Sequence, residues 1–244
     1  MKFILLILFT LIINNLIAQD FFLANNQFSS CFFNPSKNIL VLDVYYQNEY
    51  FIKEWNNKGV SLSYNKHKST IHAQLQRKGN SKFSENIIKV IYSHLLSPKL
   101  RISLGNKTIT TQQQEYKNFT NPVFPFIGLN LKPSNKIEIM LCAETISRGI
   151  LPDKINALIK RKFNKKLKLL IGSCFSNNYR FIFSTGVLYN VIDKFKLELN
   201  INSGVYPVHF GIKYEFKKNA IIISNKFHQQ LGQSIGAQFQ FTII

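Results

Sequence analysis

From about residue 38 to the C-terminus, apolar and polar residues trade places along the chain with a period of two. The last stretch, SIGAQFQFTII, sets Ile235, Ala237, Phe239, Phe241 and Ile243 against Ser234, Gly236, Gln238, Gln240 and Thr242. That is the period of a strand with two unlike faces. KLELNINS alternates Leu197, Leu199 and Ile201 with Lys196, Glu198, Asn200 and Asn202, and KIEIMLCAE alternates Ile137, Ile139, Leu141 and Ala143 with Lys136, Glu138, Met140, Cys142 and Glu144. YRFIFSTGVLY puts Tyr179, Phe181, Phe183, Val187 and Tyr189 on one face, broken only by Thr185, with Arg180, Ser184 and Gly186 on the other. YPVHFGIKYEF puts Tyr206, Val208, Phe210, Ile212, Tyr214 and Phe216 opposite Pro207, His209, Gly211, Lys213 and Glu215. No helical period of comparable strength competes.

The two sharpest stripes carry aromatics at their ends, Tyr179 and Tyr189 in one and Tyr206, Tyr214 and Phe216 in the other. The step from Tyr179 to Tyr189, at about 3.3 Å per residue and a tilt of about 40°, covers roughly 25 Å, the height of the apolar band between the aromatic girdles of a transmembrane barrel. Fourteen strands are predicted, at 38–47, 58–65, 69–77, 84–95, 99–110, 122–132, 136–146, 155–163, 166–174, 178–190, 194–202, 206–216, 218–227 and 234–243. An even count is what a bacterial barrel requires. The short segments NKHK, SPK, PSNK, FNKK, IDK and FKKN each follow an even-numbered strand, whereas TTQQQEYKNFTNP and SRGILPDK follow odd ones. SNN after Cys174 is an exception, short where the others are long. Short periplasmic turns alternating with longer outer loops place both termini in the periplasm. The expected fold is therefore all-β, a transmembrane antiparallel β-barrel of about fourteen strands in the outer membrane of a Gram-negative bacterium. A secreted soluble β-sandwich, which also alternates, is the competing architecture.

The N-terminus agrees with export. Lys2, the apolar run from Phe3 to Ile13, and Leu16-Ile17-Ala18 read as a signal peptide cut between Ala18 and Gln19. The run is shorter than the ~20 apolar residues of a spanning helix, and later apolar runs are broken within about eight residues. The predicted organisation is a signal peptide at 1–18, an N-terminal segment at 19–37 that is periplasmic or plugs the lumen, and a barrel from 38 to 244.

Composition changes this picture little. The net charge of +19, from 31 Lys and Arg against 12 Asp and Glu, invites a nucleic-acid reading, but an exported chain has little occasion to meet nucleic acid. An AT-rich codon bias, or attraction to anionic lipopolysaccharide, explains the lysines better. Cys31, Cys142 and Cys174 form no disulfide framework or zinc spacing, and the five histidines stand in no catalytic pattern with Ser or Asp. No enzyme activity, metal or cofactor is expected.

With the apolar stripe facing lipid, the lumen receives Arg101, Lys136, Glu138, Lys168, Arg180, Lys196, Glu198, His209, Lys213 and Glu215. Charges of both signs favour mutual pairing in a closed interior over a pore lined by one sign. Ser234, Gly236, Phe239 and Phe241 have the polar, Gly, aromatic, aromatic spacing of the signal read by the barrel-assembly machinery.

Several segments resemble one family. NPSKN after FSSCFF resembles the NPAGLA-type segment near the start of FadL-like outer-membrane proteins, and YQNEYFIKEWNNKGVSLSY is similar to the strand and loop that follow it in Bacteroidetes members. PFIGLNLKPSNKIEIML, FGIKYEFKKNAIIIS and FHQQLGQSIGAQFQF resemble their strand pairs and closing HxxLG segment. The resemblance covers most of residues 28 to 244. It implies a fourteen-stranded barrel related to the FadL and PorV/PorQ group, whose members move hydrophobic compounds or serve type IX secretion. This chain has FFLANNQFSS where a GMGGA-type stretch is expected, has little room for a hatch domain, and ends Phe241-Thr242-Ile243-Ile244 rather than on an aromatic. The expectations are thus a non-enzymatic scaffold or secretion-accessory barrel with a mostly closed lumen, or a passive transporter of small hydrophobic compounds. Its partners would be outer-membrane lipid and lipopolysaccharide, the assembly machinery and secretion-system components.

Overall fold

The strands of the ring have two unlike faces, and the first and last of them pair, so the sheet closes on itself. The computed structural model describes residues 39–49, 56–113, 116–120, 123–145, 154–176, 179–203, 207–228 and 230–243, with 116–120 and 179–180 described by their backbone alone. The strands are β1 (Ile39–Asn48), β2 (Asn56–Lys66), β3 (Ser69–Gly79), β4 (Phe83–Ser97), β5 (Leu100–Gln113), β6 (Tyr116–Thr120), β7 (Phe124–Ser134), β8 (Ile137–Glu144), β9 (Lys154–Lys162), β10 (Leu167–Ser176), β11 (Tyr179–Ile192), β12 (Phe195–Asn202), β13 (Val208–Phe216), β14 (Asn219–His228) and β15 (Gly232–Ile243).

All pairings are antiparallel and join neighbours in the chain, apart from two. β7 skips β6 to pair with β5, and β1 pairs with β15, from Leu40 opposite Ile243 to Asn48 opposite Ile235. With β4 bonded to β5 the ring closes, giving a fourteen-stranded barrel in which β6 pairs with β5 on the same edge as β7, farther along the strand. Closure satisfies the backbone groups that an open sheet would leave bare in lipid. The fourteen spans read from the alternation coincide with the ring strands within a few residues. The soluble sandwich is overturned, since there is one closed sheet instead of two stacked ones.

The alternation sorts the side chains as a membrane barrel does. Val44, Leu62, Leu75, Val90, Leu104, Ile127, Phe183, Leu199, Ile223 and Phe239 point outward and are exposed, while Asp43, Ser63, Gln74, Lys89, Ser103, Ser184 and Asn200 point inward and are buried. A water-soluble domain buries the first group and exposes the second. The fourteen ring strands have 8 to 15 residues, which at about 3.3 Å each and a tilt of about 40° is roughly 20 to 38 Å, a range that includes the apolar belt of about 25 Å.

Short turns gather at one end, but the opposite end is not uniformly long-looped: besides the connection after β10, those at 80–82 and 229–231 are also short. The connections at 67–68, 98–99, 135–136, 163–166, 193–194 and 217–218 are turns of two to four residues, and the start of β1 and the end of β15 lie at that same end. His67 and Lys217, the first residues of two of these turns, take positive φ of 52° and 53°, the left-handed geometry that lets a two-residue hairpin follow the strand twist. The loop foreseen from Thr110 is partly strand. β5 runs on to Gln113 and β6 returns beside it, Thr110 opposite Thr120 and Thr111 opposite Phe119. β-branched and aromatic residues there favour a ladder even beyond the lipid belt.

Candidate functional site in the barrel lumen

Residues two apart on one strand share a face, so the register of neighbouring strands decides which inward groups meet. Toward the short-turn end the meetings are mostly ionic. Lys132 on β7 lies 3.6 Å from Glu138 on β8, which also accepts a hydrogen bond of 2.8 Å from Asn130 Nδ2. Glu215 on β13 receives Lys196 of β12 at 2.5 Å and Lys213 at 3.2 Å, and Lys213 reaches on to Gln240 Oε1 of β15 at 3.1 Å. Asn200 Nδ2 donates to Glu198 Oε1 at 2.6 Å, and Ser61 Oγ donates to Asp43 Oδ2 at 3.3 Å.

A deeper cluster sits toward the long-loop end. Glu144, the last residue of β8, lies 3.3 Å from Lys89 Nζ and 3.8 Å from Lys107 Nζ, and Lys89 also stacks over the Phe126 ring at 4.4 Å. A third group has hydrogen bonds but no carboxylate. Ser63 Oγ and His72 Nδ1 are 2.8 Å apart, Thr70 Oγ1 donates to Asn65 Oδ1 at 2.6 Å, Arg101 reaches Thr70 Oγ1 at 3.5 Å, and Ser93 and Ser103 hydroxyls meet at 2.7 Å.

One inner wall is apolar. Ile91, Phe126, Met140, Cys142, Leu158 and Leu170 form a buried cluster, with Leu188 packed against it. Cys142 and Cys174 are free thiols. Both stand opposite Asn156 of β9, one on each side, so about two strand spacings, roughly 10 Å, separate them, too far for a disulfide. Small residues let inward side chains lie flat. A Cβ on Gly59 would come within 2.5 Å of Tyr45 Oη, whose ring covers that glycine while the hydroxyl accepts from Gln74 Nε2 at 3.2 Å. Gly186 is covered by the Asn200 amide in the same way.

The residues predicted for the lumen divide as follows. Arg101 and His209 are inward and buried; Glu138, Lys168, Lys196, Glu198, Lys213 and Glu215 are inward and half-buried. Lys136 is a correction, because the chain turns at 135–136 and its side chain is exposed on the rim. The side chain of Arg180 lies outside the described residues. Tyr189 and Tyr214 are exposed on the outer face near the short-turn end, and Phe216 is half-exposed beside Tyr214, the two rings 6.2 Å apart. Tyr206 and the Tyr179 side chain fall outside the described residues, as do residues 1–38 with the Ala18–Gln19 junction. Phe239 and Phe241 face outward, and Ser234 and Gly236 face inward and are buried.

The Lys89, Lys107 and Glu144 cluster was not singled out from sequence. Glu144 was placed on the inward face of its strand, and the Lys89 side chain alternates with Ile88 and Val90, so parity could have found both. Among the described residues no group of three or more His, Cys, Asp or Glu could hold a metal ion.

The bore has a size. Fourteen strands about 4.8 Å apart, tilted by about 40°, give a backbone radius of roughly 14 Å. An empty circular bore of that radius would leave mid-height wall residues open to water. Instead Leu158 and Ser103 are 0% exposed and Ile91 and Met140 1%. These wall residues are covered.

A closed antiparallel ring, an apolar outer belt and a polar inner face decide the fold. It is that of the Gram-negative outer-membrane β-barrels. The structure is similar to the outer-membrane protein Omp33 of Acinetobacter baumannii, with a TM-score of 0.59 at 9% identity over 86% of this chain and 100% of that one. It is also similar to the CymD monoaromatic hydrocarbon channel, with a TM-score of 0.56 at 9% identity over 84% of this chain and 87% of that one. At such identity the likeness is one of fold. No protein-family model and no curated protein sequence matches the chain.

Proposed function

We propose that this protein is a non-enzymatic outer-membrane barrel with a mostly closed lumen, serving as a scaffold or secretion accessory through its loops. The observation that carries this reading is the burial of inward residues at mid-height, from Ser103 on β5 to Leu158 on β9. The buried Lys89–Glu144 ion pair supports it, since a conducting path would be expected to keep its charged groups hydrated. The secretion role, of the PorV/PorQ kind in type IX secretion of Bacteroidetes, rests on the segment resemblance, and both termini are taken as periplasmic from the turn lengths.

Residues 19–37 are the proposed filler of the bore. They enter β1 at the short-turn rim, and nineteen residues reach at most about 65 Å, more than the height of the barrel. Phe21, Phe22, Leu23, Phe28, Phe32 and Phe33 suit the apolar wall around Leu158. The test is single-channel recording of the purified protein in planar bilayers. The full mature chain should show no steady conductance, and deletion of residues 19–37 should open one. A stable open pore in the full chain would refute the closed lumen. A tag at the C-terminus that can be labelled on intact cells would refute the topology.

The second reading is a passive transporter of small hydrophobic compounds. It is favoured by the inner apolar wall of Ile91, Phe126, Met140 and Leu170, and by the fold shared with a hydrocarbon channel. Saturable uptake of a monoaromatic compound by proteoliposomes would support it.

A further inference from the structure

Among the described residues the exposed positive charge is concentrated at the short-turn end of the barrel. Each of the six short connections carries an exposed lysine, exemplified by Lys68, Lys99, Lys136, Lys166, Lys194 and Lys218. Among the described residues of that rim the one exposed carboxylate is Asp193. Just inside the lysines lies a ring of exposed tyrosines, Tyr64, Tyr92, Tyr189 and Tyr214, each within five residues of the end of its strand.

We infer that this collar is a binding belt for the headgroups of anionic glycerophospholipids. The tyrosine rings sit at the boundary of the apolar belt, and the lysine ammonium groups reach beyond it to the level of the phosphates. Three features favour lipid over other anionic partners. The charge follows the whole circumference, from the β2–β3 turn round to the β13–β14 turn, as an annulus of lipid does and a docked protein does not. The collar adjoins the apolar outer belt through the exposed tyrosines. Its cations are almost all lysines on flexible stems, suited to mobile headgroups more than to fixed bidentate recognition of one anion. The choice of phospholipid over lipopolysaccharide rests on the proposed topology, which puts the short turns on the periplasmic side.

The experiment reconstitutes the full mature chain in phosphatidylcholine bilayers with spin-labelled phosphatidylglycerol or phosphatidylcholine as probe, and measures the motionally restricted fraction of each. Phosphatidylglycerol should associate about threefold more strongly at low salt and fall toward equality in 1 M NaCl. Replacing Lys68, Lys99, Lys136, Lys166, Lys194 and Lys218 by Gln should bring the two lipids to near equality. Lys58→Gln with Lys82→Gln, at the opposite end, should leave the preference unchanged. Should the sixfold variant fail to show the heat-modifiable band of a folded barrel, the salt dependence of the unmodified protein tests the same point. Equal association of both lipids, a preference that survives the sixfold change or 1 M NaCl, or a stronger preference for spin-labelled lipid A over phosphatidylglycerol would each overturn the inference. Absence of a membrane-inserted, heat-modifiable form would instead fail the barrel reading on which it rests, and an externally labelled C-terminus would fail the topology alone.

Discussion

Removing the Glu144 carboxylate tests how dry the lumen is. Its side chain is 6% exposed, with Lys89 Nζ at 3.3 Å and 3% exposed and Lys107 Nζ at 3.8 Å and 19% exposed. Glu144→Ala leaves the two lysines without that carboxylate in a space that excludes water. Breaking a fully buried pair by deleting one partner costs about 3 to 5 kcal/mol, and the Lys89 arm is buried enough to incur most of it. The Lys107 arm, partly exposed, adds about 1 kcal/mol or less. Glu215 supplies the internal comparison. It holds Lys196 at 2.5 Å and Lys213 at 3.2 Å, closer than any contact to Glu144, yet all three side chains are 31 to 32% exposed. Glu215→Ala should therefore cost only about 1 kcal/mol. Urea unfolding in detergent micelles, followed by far-UV circular dichroism with a common m-value, measures both. Glu144→Leu combined with Lys89→Met should recover much of the loss, because an apolar pair of similar volume replaces a buried ion pair at little cost. Losses that agree within about half a kcal/mol for Glu144→Ala and Glu215→Ala would mean that the Glu144 cluster is hydrated, and would refute a closed interior at that level.

Replacing Phe239 and Phe241 by Ala should lower the amount of folded barrel in the membrane and raise periplasmic degradation, measured by heat-modifiable migration; unchanged levels would remove them from the assembly signal. Gly186→Ala should push the Asn200 amide off its glycine and break its 2.6 Å bond to Glu198, costing about 1 to 3 kcal/mol in the same urea assay. A neutral Gly186→Ala would show that Asn200 moves aside freely.

The strands were legible because lipid and lumen impose opposite demands on alternate residues. In YRFIFSTGVLY the stripe Phe181, Phe183, Val187 and Tyr189 has no use on a surface in water, and its length fits a membrane. Alternation alone could not distinguish a barrel from a sandwich; the spacing of the aromatic ends and the alternation of short and long connections carried that step. β6 was missed for the matching reason. The segment TTQQQEYKNFTNP carries no apolar stripe because its pairing with β5 lies beyond the lipid, where the backbone ladder is enough. Lys136 was misplaced because the period was extended one residue too far, past the point at which the chain turns.

The lumen was less legible than the wall because the two faces are encoded differently. The outer face must only be apolar, so Leu, Ile, Val and Phe serve equally and the signal repeats on every strand. On the inner face the meaning of a residue depends on its height and on which strands the ring brings near. Lys89 and Glu144 lie 55 positions apart in the chain, and β5 and β7 stand between their strands, so no local pattern announces that they meet. Parity shows that both point inward. It does not show that Lys107 joins them, or that Phe126 lies beneath the Lys89 ammonium group. That difference also separates the two functional readings. A transporter needs a continuous passage along the apolar wall of Met140, Leu158 and Leu170, whereas a scaffold needs that wall covered, and the 0% exposure of Leu158 favours the covered wall.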